Sequence, residues 1–428
     1  MITKRIFLSA LVAAAVAATG AVHALDAGGV AIQGSLSATG AYSDKYDYYG
    51  ATGDGFDFNV KEITLNGTYR FENGIRFGAQ LYAYDLAGYK DISLDFATID
   101  YAFNQQIGVR VGRNKLPVGL YGEVQDLDQI RTFASLPLNV YPRALRPLTA
   151  GYDGAGLYGN IGMGKAGSLE YQAIAGWLES FDGEALYSRS VADLTAADNI
   201  NPDTIYGGAL VWNTPVDGLR FSYTYTFLPD LEMNARVQSR AGLAEVGSSY
   251  ALVAASIDGS YGEGTWDYSG MFAGSRAITV VDVKTHVASV EYTREKWIFA
   301  TEYRTMTFEG ATSLFGAAPL NAKDSPVRTD KEHWYVQATY QATDSLGLGV
   351  YFAQSDYDPK NQKNLDDKFT TMDDIAVAAS YAIGEHWLVK VEAHALDGLG
   401  KLSMAGDRNL GATDPRWNYF VVKTTFSF

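Results

Sequence analysis

The segment GLRFSYTYTF, residues 218–227, places Leu219, Phe221, Tyr223, Tyr225 and Phe227 on one side of an extended chain. Arg220, Ser222, Thr224 and Thr226 fall on the other. Successive side chains of a β-strand point to opposite faces, so a period of two makes a strand with one apolar and one polar face. The pattern recurs in GIRFGAQLYAY (74–84), where Ile75, Phe77, Ala79, Leu81 and Ala83 oppose Arg76, Gly78, Gln80, Tyr82 and Tyr84. It recurs again in HWLVKVEAHA (386–395), with Trp387, Val389, Val391 and Ala393 against Leu388, Lys390, Glu392 and His394. A chain with 44 Gly, 29 Tyr and 20 Phe but 11 Pro suits this reading, because strands favour aromatics and tight turns favour glycine.

Alternation alone does not separate a soluble sandwich from a membrane barrel; the connections do. The pattern predicts eighteen strands between residues 30 and 428, with sixteen as the alternative count. Four of them are expected near 91–103, 249–261, 264–275 and 284–294. The first of these shifts phase midway and the last has a thin apolar face, so both are weak. Short turns (72–74, 214–218, 262–264, 343–345, 384–385) follow even-numbered strands. Long links (43–56, 180–203, 229–248, 309–331, 357–372, 397–415) follow odd-numbered ones. A transmembrane antiparallel β-barrel with both termini on one side sorts its connections in this way, and a sandwich has no reason to.

The two ends of the chain agree. Lys4 and Arg5, the apolar run Ile6–Ala18 and the small residues of Val22–Ala24 read as a secretory signal peptide over 1–24, leaving a barrel domain over 25–428. The last strand, WNYFVVKTTFSF, places Phe420, Val422, Phe426 and Phe428 on one face and ends on an aromatic, like the assembly signal of outer-membrane barrels. The localisation expected is the outer membrane of a Gram-negative bacterium. Outer-membrane lipid and lipopolysaccharide would then be partners of its surface and loops.

Charge and composition exclude other classes. Cleavage removes Lys4 and Arg5 from 34 basic residues and none of the 49 acidic ones, which leaves a mature net charge of −17. Nucleic acid is therefore not an expected partner, since phosphate binding needs a basic footprint. With no cysteine, thiol catalysis and cysteine-held metal centres are ruled out. The Asp-rich stretches 364–368 and 371–375 lack the spacing of a calcium loop. His394 and Glu392 share a strand face, the arrangement of a base and its orienter, but no nucleophile context accompanies them. No enzyme activity, metal or cofactor is expected.

In a barrel the polar faces point inward. By phase the lumen is lined by Arg70, Arg76, Arg110, Arg220, Glu302, Arg304, Lys390 and Glu392, a mixed set suited to water. One link stands apart. GRNKLPVGLYGEVQDLDQIRTFASLPLNVYPRALRPLTAGYDG (112–154) contains Pro117, Pro137, Pro142 and Pro147, which stiffen it. Folded inward, it would constrict the lumen with an acidic limb (Glu123, Asp126, Asp128) and a basic limb (Arg131, Arg143, Arg146), joined by Arg113 and Lys115. On opposite walls, the two limbs would set a transverse field across the aperture.

The run VRVGRNKLPVGLYGE followed by PRALRPLTAGYDGAGLYG resembles the strand–loop–strand of Gram-negative outer-membrane porins, in the phosphate-selective-porin-like and dicarboxylate-porin-like groups. Gly112, Arg113, Lys115, Pro117 and Gly119 stand where those families carry the element that ends a strand and sends the next loop into the pore. The resemblance implies a homotrimeric channel of sixteen or eighteen strands for small hydrophilic solutes. A mature charge of −17 departs from the strongly basic pores of phosphate-selective members, so phosphate selectivity is not implied. The alternative is a structural or adhesive barrel without conductance.

Overall fold

The computed structural model describes residues 25–428 except 28, 52–54, 87–88, 144–145, 183–194, 238–275, 316–324, 357–367, 369, 401, 403–408 and 410–411. The expected signal segment, and the strands expected near 249–261 and 264–275, lie outside the described residues.

Sixteen antiparallel strands among the described residues close on themselves: β1 (Val30–Ser43), β2 (Asp57–Arg70), β3 (Arg76–Leu86), β4 (Tyr89–Ala102), β5 (Gly108–Lys115), β6 (Gly151–Gly162), β7 (Ser168–Trp177), β8 (Thr204–Asn213), β9 (Leu219–Val237), β10 (Arg276–Arg294), β11 (Trp297–Phe315), β12 (Ser325–Gln341), β13 (Leu346–Asp356), β14 (Thr371–Ile383), β15 (Trp387–Gly398) and β16 (Arg416–Ser427). Each strand pairs with its neighbour in sequence, and β16 returns to β1 in a ladder that includes Val421↔Ala41. Three short strands add to this wall. Leu25–Ala27 pairs with the start of β1, and Thr195–Asn201 continues the line of β8 against the far end of β9, bordered by Phe181–Asp182.

The count is the alternative one, sixteen. β9 pairs directly with β10 from Leu219↔Tyr292 to Arg236↔Arg276, so the wall passes from one to the other with no strand between them. These two strands and β11 are 19 residues long, reaching into stretches expected as links. Pro229 and Asp230 interrupt the apolar alternation that sequence reading relies on. The chain absorbs them as a register shift between Leu228 and Leu231, with Asp230 at φ 51°, and pairing then resumes.

The phase shift seen at 91–103 is a β-bulge in β4. Gln80 pairs with Phe96 and Leu81 with Leu94, leaving Asp95 as the extra residue. A bulge re-aims one side chain without ending the strand. Here it turns Asp95 inward.

The outer face carries exposed Phe299, Val336, Val350, Val377, Val391 and Phe420, all from the apolar phase of their strands. A closed barrel leaves no edge, so the strand ladders satisfy the backbone from both sides around the wall, as a bilayer demands. The packed core therefore lies inside the barrel, between the wall and the long link 116–150.

Candidate functional site

At the end of β5 the chain turns inward rather than outward. Leu116 is 1% exposed, and Val118, Phe133, Leu136, Val140 and Tyr141 from the same link form one apolar cluster with inward residues such as Ile174, Val287, Tyr335 and Tyr351. Gly119 permits the turn: its φ of +64° is left-handed, and a Cβ there would collide with the Glu302 carboxylate and the Tyr141 hydroxyl. A second cluster joins Ala134 and Leu138 of the link to Tyr46, Tyr48, Leu399, Leu402 and Trp417, so the segments after β1 and β15 pack onto the link.

Polar anchors tie the link to the wall. Glu302 on β11 accepts hydrogen bonds from the hydroxyls of Tyr141 (2.6 Å), Tyr335 (2.6 Å) and Ser289 (2.7 Å) and from the Leu120 amide (2.9 Å). Arg304 donates to the Val140 carbonyl at 2.8 Å. Lys390 on β15 donates to the carbonyls of Asp128 (2.7 Å) and Phe133 (2.8 Å), and Glu392 accepts from the Ala134 amide. Asn139 donates to the carbonyls of Trp334 and Gln354, 2.7 and 3.1 Å away.

The eight residues assigned to the lumen all lie on inner faces, but they divide by environment. Arg70 and Arg76 face open space, with Arg110 and Arg220 half-buried, whereas Glu302, Arg304, Lys390 and Glu392 are sealed beneath the link. The second group holds the loop in place instead of lining water.

The eight constriction residues rearrange more. Arg113 points outward, on the face of Val111 and Ile99, where it pairs with Asp153 at 2.9 Å and Glu179 at 3.0 Å. Strand alternation carries through to residue 113, so Arg110 and Arg113 take opposite faces although the sequence groups them. Lys115 shares Arg113's phase but sits where the chain turns, and its amine reaches inward to Asp95 at 2.7 Å and to Asp126. Arg146 completes a quartet, bonding Asp126 at 2.6 Å as well as Asp95, and its guanidinium lies 4.1 Å from the Tyr82 ring centre. Gln80 donates to Asp95 at 3.0 Å and Asp126 at 3.3 Å.

A second ionic group surrounds Asp128. Its partners are Arg131 (2.5 Å), Lys423 (2.8 Å) and the hydroxyl of Thr425 (2.7 Å). Lys423 also contacts Glu62 at 3.0 Å, and Glu62 pairs with Arg143 at 2.5 Å. Glu123 pairs with Arg110 at 3.0 Å and accepts from Gln172 at 2.9 Å. The acidic and basic limbs therefore do not oppose each other across a gap. Asp126 touches Arg146 and Asp128 touches Arg131, which corrects the expected transverse field: charges a bond length apart cancel, and little field is left to project.

These pairings set the ionisation of the loop. Burial by itself would raise Asp126, but Arg146 and Lys115 reverse that and hold its carboxyl well below the usual range. Asp128 follows the same balance, burial being overcome by Lys423, Arg131 and Lys390. Burial would weaken Arg143 and Arg146 as bases, and their carboxylate partners raise both. Burial pushes the Tyr121 and Tyr141 hydroxyls up, so they stay protonated donors.

Asp95, Lys423, Tyr141 and Tyr82 were not foreseen at this site. Lys423 was legible as the cation inside the apolar run WNYFVVKTTFSF, on the phase opposite Phe420 and Val422. Asp95 was hidden because a period-two reading registers the bulge as a phase shift without saying which residue it turns inward. His394 has its Nδ1 3.0 Å from Asp374 and its Nε2 3.2 Å from Glu392, so both ring nitrogens are occupied and neither is poised as a base.

A closed sixteen-strand barrel crossed internally by the link after β5 defines a porin-type outer-membrane barrel fold, and solved structures share it. An OmpT of Vibrio cholerae aligns with a TM-score of 0.52 and 11% identity, covering 95% of this chain and 100% of that one. An anion-selective porin from Comamonas acidovorans gives 0.52 and 10%, covering 93% and 99%. Salmonella typhi OmpF, in complex with daunomycin, gives 0.51 and 12%, covering 93% and 97%. At these identities the likeness is one of fold. In sequence, an uncharacterized protein of Aquifex aeolicus is 28% identical over 194 residues, 40% of this chain; the match spans 43% of that relative's length. No family model matches the chain.

Proposed function

We propose that the chain is an outer-membrane porin, a water-filled channel for passive, size- and charge-selective diffusion of small hydrophilic solutes, small anions among them. The observation that carries this is the link 116–150, folded inside the barrel and bonded to its walls on β2, β4, β11, β15 and β16. A loop held there narrows the lumen, and weak contacts along a narrowed polar lumen are what passive selection requires. An anion-selective porin among the structures of like fold is consistent with the small-anion part.

The constriction is formed by Lys115, Glu123, Asp126, Asp128, Arg131, Arg143 and Arg146 as an interlocked ionic layer. The mature protein, residues 25–428, forms a homotrimer in the outer membrane, in contact with lipid and lipopolysaccharide.

Planar-bilayer recording of purified protein tests the class. Neutralising Arg131, Arg143 and Arg146 together lowers anion permeability relative to cations, because Asp128, Glu62 and Asp126 lose their partners. A reversal potential that does not move in a salt gradient would remove the loop from the role of filter. The second reading, a structural or adhesive barrel, draws on the apolar packing of the loop against most of the inner wall. It requires absence of conductance in the same recording.

A further inference from the structure

We propose that His394 is a positioning residue for the inward loop. Held as an imidazolium between Asp374 and Glu392, it fixes the carboxylate that clasps Ala134, and loss of its proton in alkali loosens the loop there. This role concerns the seat of the loop and stands whether or not the barrel conducts.

Lys390, Glu392 and His394 occupy successive inward positions on β15. The first two hold the loop directly, Lys390 through the carbonyls of Asp128 and Phe133 and Glu392 through the Ala134 amide. His394 bonds to the wall instead and reaches the loop through Glu392. Its Nε2 lies 3.2 Å from Glu392 Oε2, while Glu392 Oε1 takes the Ala134 amide. The carboxylate is thus held at both oxygens, and a turn that breaks the contact with the ring also breaks the contact with the loop.

The geometry fixes where the ring protons are. A neutral imidazole has one N–H and one lone pair. Nδ1 faces both oxygens of Asp374 on β14, at 3.0 and 3.2 Å. The Tyr351 hydroxyl of β13 is 3.3 Å from the same nitrogen, but it donates to Asp374 at 2.8 Å and so turns a lone pair toward the ring. Acceptors therefore face both nitrogens. A neutral ring would set its lone pair against a carboxylate in a site where the His394 and Glu392 side chains are only 3% and 1% exposed. Only the imidazolium donates on both sides, and only it supplies a cation between two buried carboxylates.

The remaining neighbours do not replace it. Tyr419 of β16 has its ring centre 5.2 Å from that of His394, and Tyr48 of the segment after β1 packs edge-on against Tyr419. Neither is a cation. Lys390 is committed to the two loop carbonyls, and Arg143 of the loop pairs with Glu62. Removing the ring proton leaves Asp374 and Glu392 with no charge between them, and Glu392 loses the contact that holds it against Ala134.

Nuclear magnetic resonance of the barrel in detergent, with nitrogen-15 in its histidine rings, tests the charge. Both His394 nitrogens are expected to carry protons at about pH 8, where a free imidazole, with its ordinary value of about 6.5, is neutral. Single Asn replacements of His286, His333 and His386 assign the ring by elimination. A bare nitrogen on His394 at that pH overturns the imidazolium. Positioning is read by cleavage within 116–150 with an alkali-active protease, comparing His394→Gln with the unsubstituted protein at each pH. The variant is expected to be cut roughly tenfold faster at about pH 7, as loss of a charge-assisted hydrogen bond implies. The ratio then falls toward one as alkali strips the ring of its proton. A ratio of one at about pH 7, or a raised ratio that does not change with pH, overturns the positioning role. If His394→Gln does not fold, the unsubstituted protein decides: onset of loop cleavage in alkali must coincide with loss of the ring proton, and a mismatch overturns the link.

Discussion

Tyr141 in the inward loop and Glu302 on β11 are joined by a hydrogen bond of 2.6 Å, and the same carboxylate oxygen accepts the Tyr335 hydroxyl from β12 at 2.6 Å. Three hydroxyls and one amide converge on a single buried side chain, so the loop is held across the barrel by a group that the wall itself positions.

Replacing Glu302 therefore frees the loop. Glu302→Leu strands four donors, each costing about 1–3 kcal/mol if left without a partner. Glu302→Gln retains a carbonyl acceptor and is expected to cost less. The readout is limited proteolysis of the folded barrel in detergent: cleavage within 116–150 accelerates strongly for the leucine variant and modestly for glutamine. Equal protection in both variants would show that apolar packing alone holds the loop.

Asp128 is the anion on which Lys423, Arg131 and Lys390 converge. Asp128→Asn leaves Arg131 and Lys390 without their carboxylate, while Lys423 keeps Glu62, a loss of about 3–5 kcal/mol by the usual cost of breaking a buried pair. Its expected signature is a lower urea midpoint for unfolding of the detergent-solubilised barrel. An unchanged midpoint would mean that water reaches this group and replaces the lost carboxylate.

Acid tolerance has a definite direction. Asp126 and Asp128 both ionise well below the ordinary Asp value of about 3.9, so their contribution is fully present above that value. It is lost only as pH falls through the lower folded-state values. Loop protection against an acid-active protease is thus expected to be the same at pH 7 and about pH 4, weakening only in stronger acid. Earlier release, between pH 7 and 5, would point to a different titrating group.

Trp417 is 2% exposed and meets Tyr46 and Tyr48 edge-on, with ring centroids 5.7 and 4.9 Å away. Trp417→Ala removes the centre of the cluster that covers the loop, at about 3–5 kcal/mol. We expect noisier channel current rather than loss of the barrel, because the ladder of β16 with β1 and β15 does not depend on this side chain. A variant that fails to fold would place the cluster in assembly instead.

Much of the architecture was open to reading from local pattern. Alternation in GLRFSYTYTF assigns Arg220 inward and Phe221 outward, and the structure keeps that phase through Ser222 and Tyr223 because each residue along a strand reverses direction. The sorting of short and long links indicated a closed wall. The strand count was less secure, since nothing local reports that Leu219 pairs with Tyr292 across a long stretch of sequence.

The charged loop shows where local reading stops. Its position after β5 and its residue types come from the chain itself, as does the inward phase of Arg76, Arg110 and Glu302. Which charge meets which was decided by the tertiary structure. Arg113 went outward by one residue of strand phase, Asp95 came inward through a bulge, and Asp126 found Lys115 and Arg146 instead of facing them across a gap. The reason is one of range. Side-chain alternation is set by neighbouring backbone dihedrals and is written in the sequence. Ion pairing depends on distances of a few ångströms between segments that only closure of the barrel brings together.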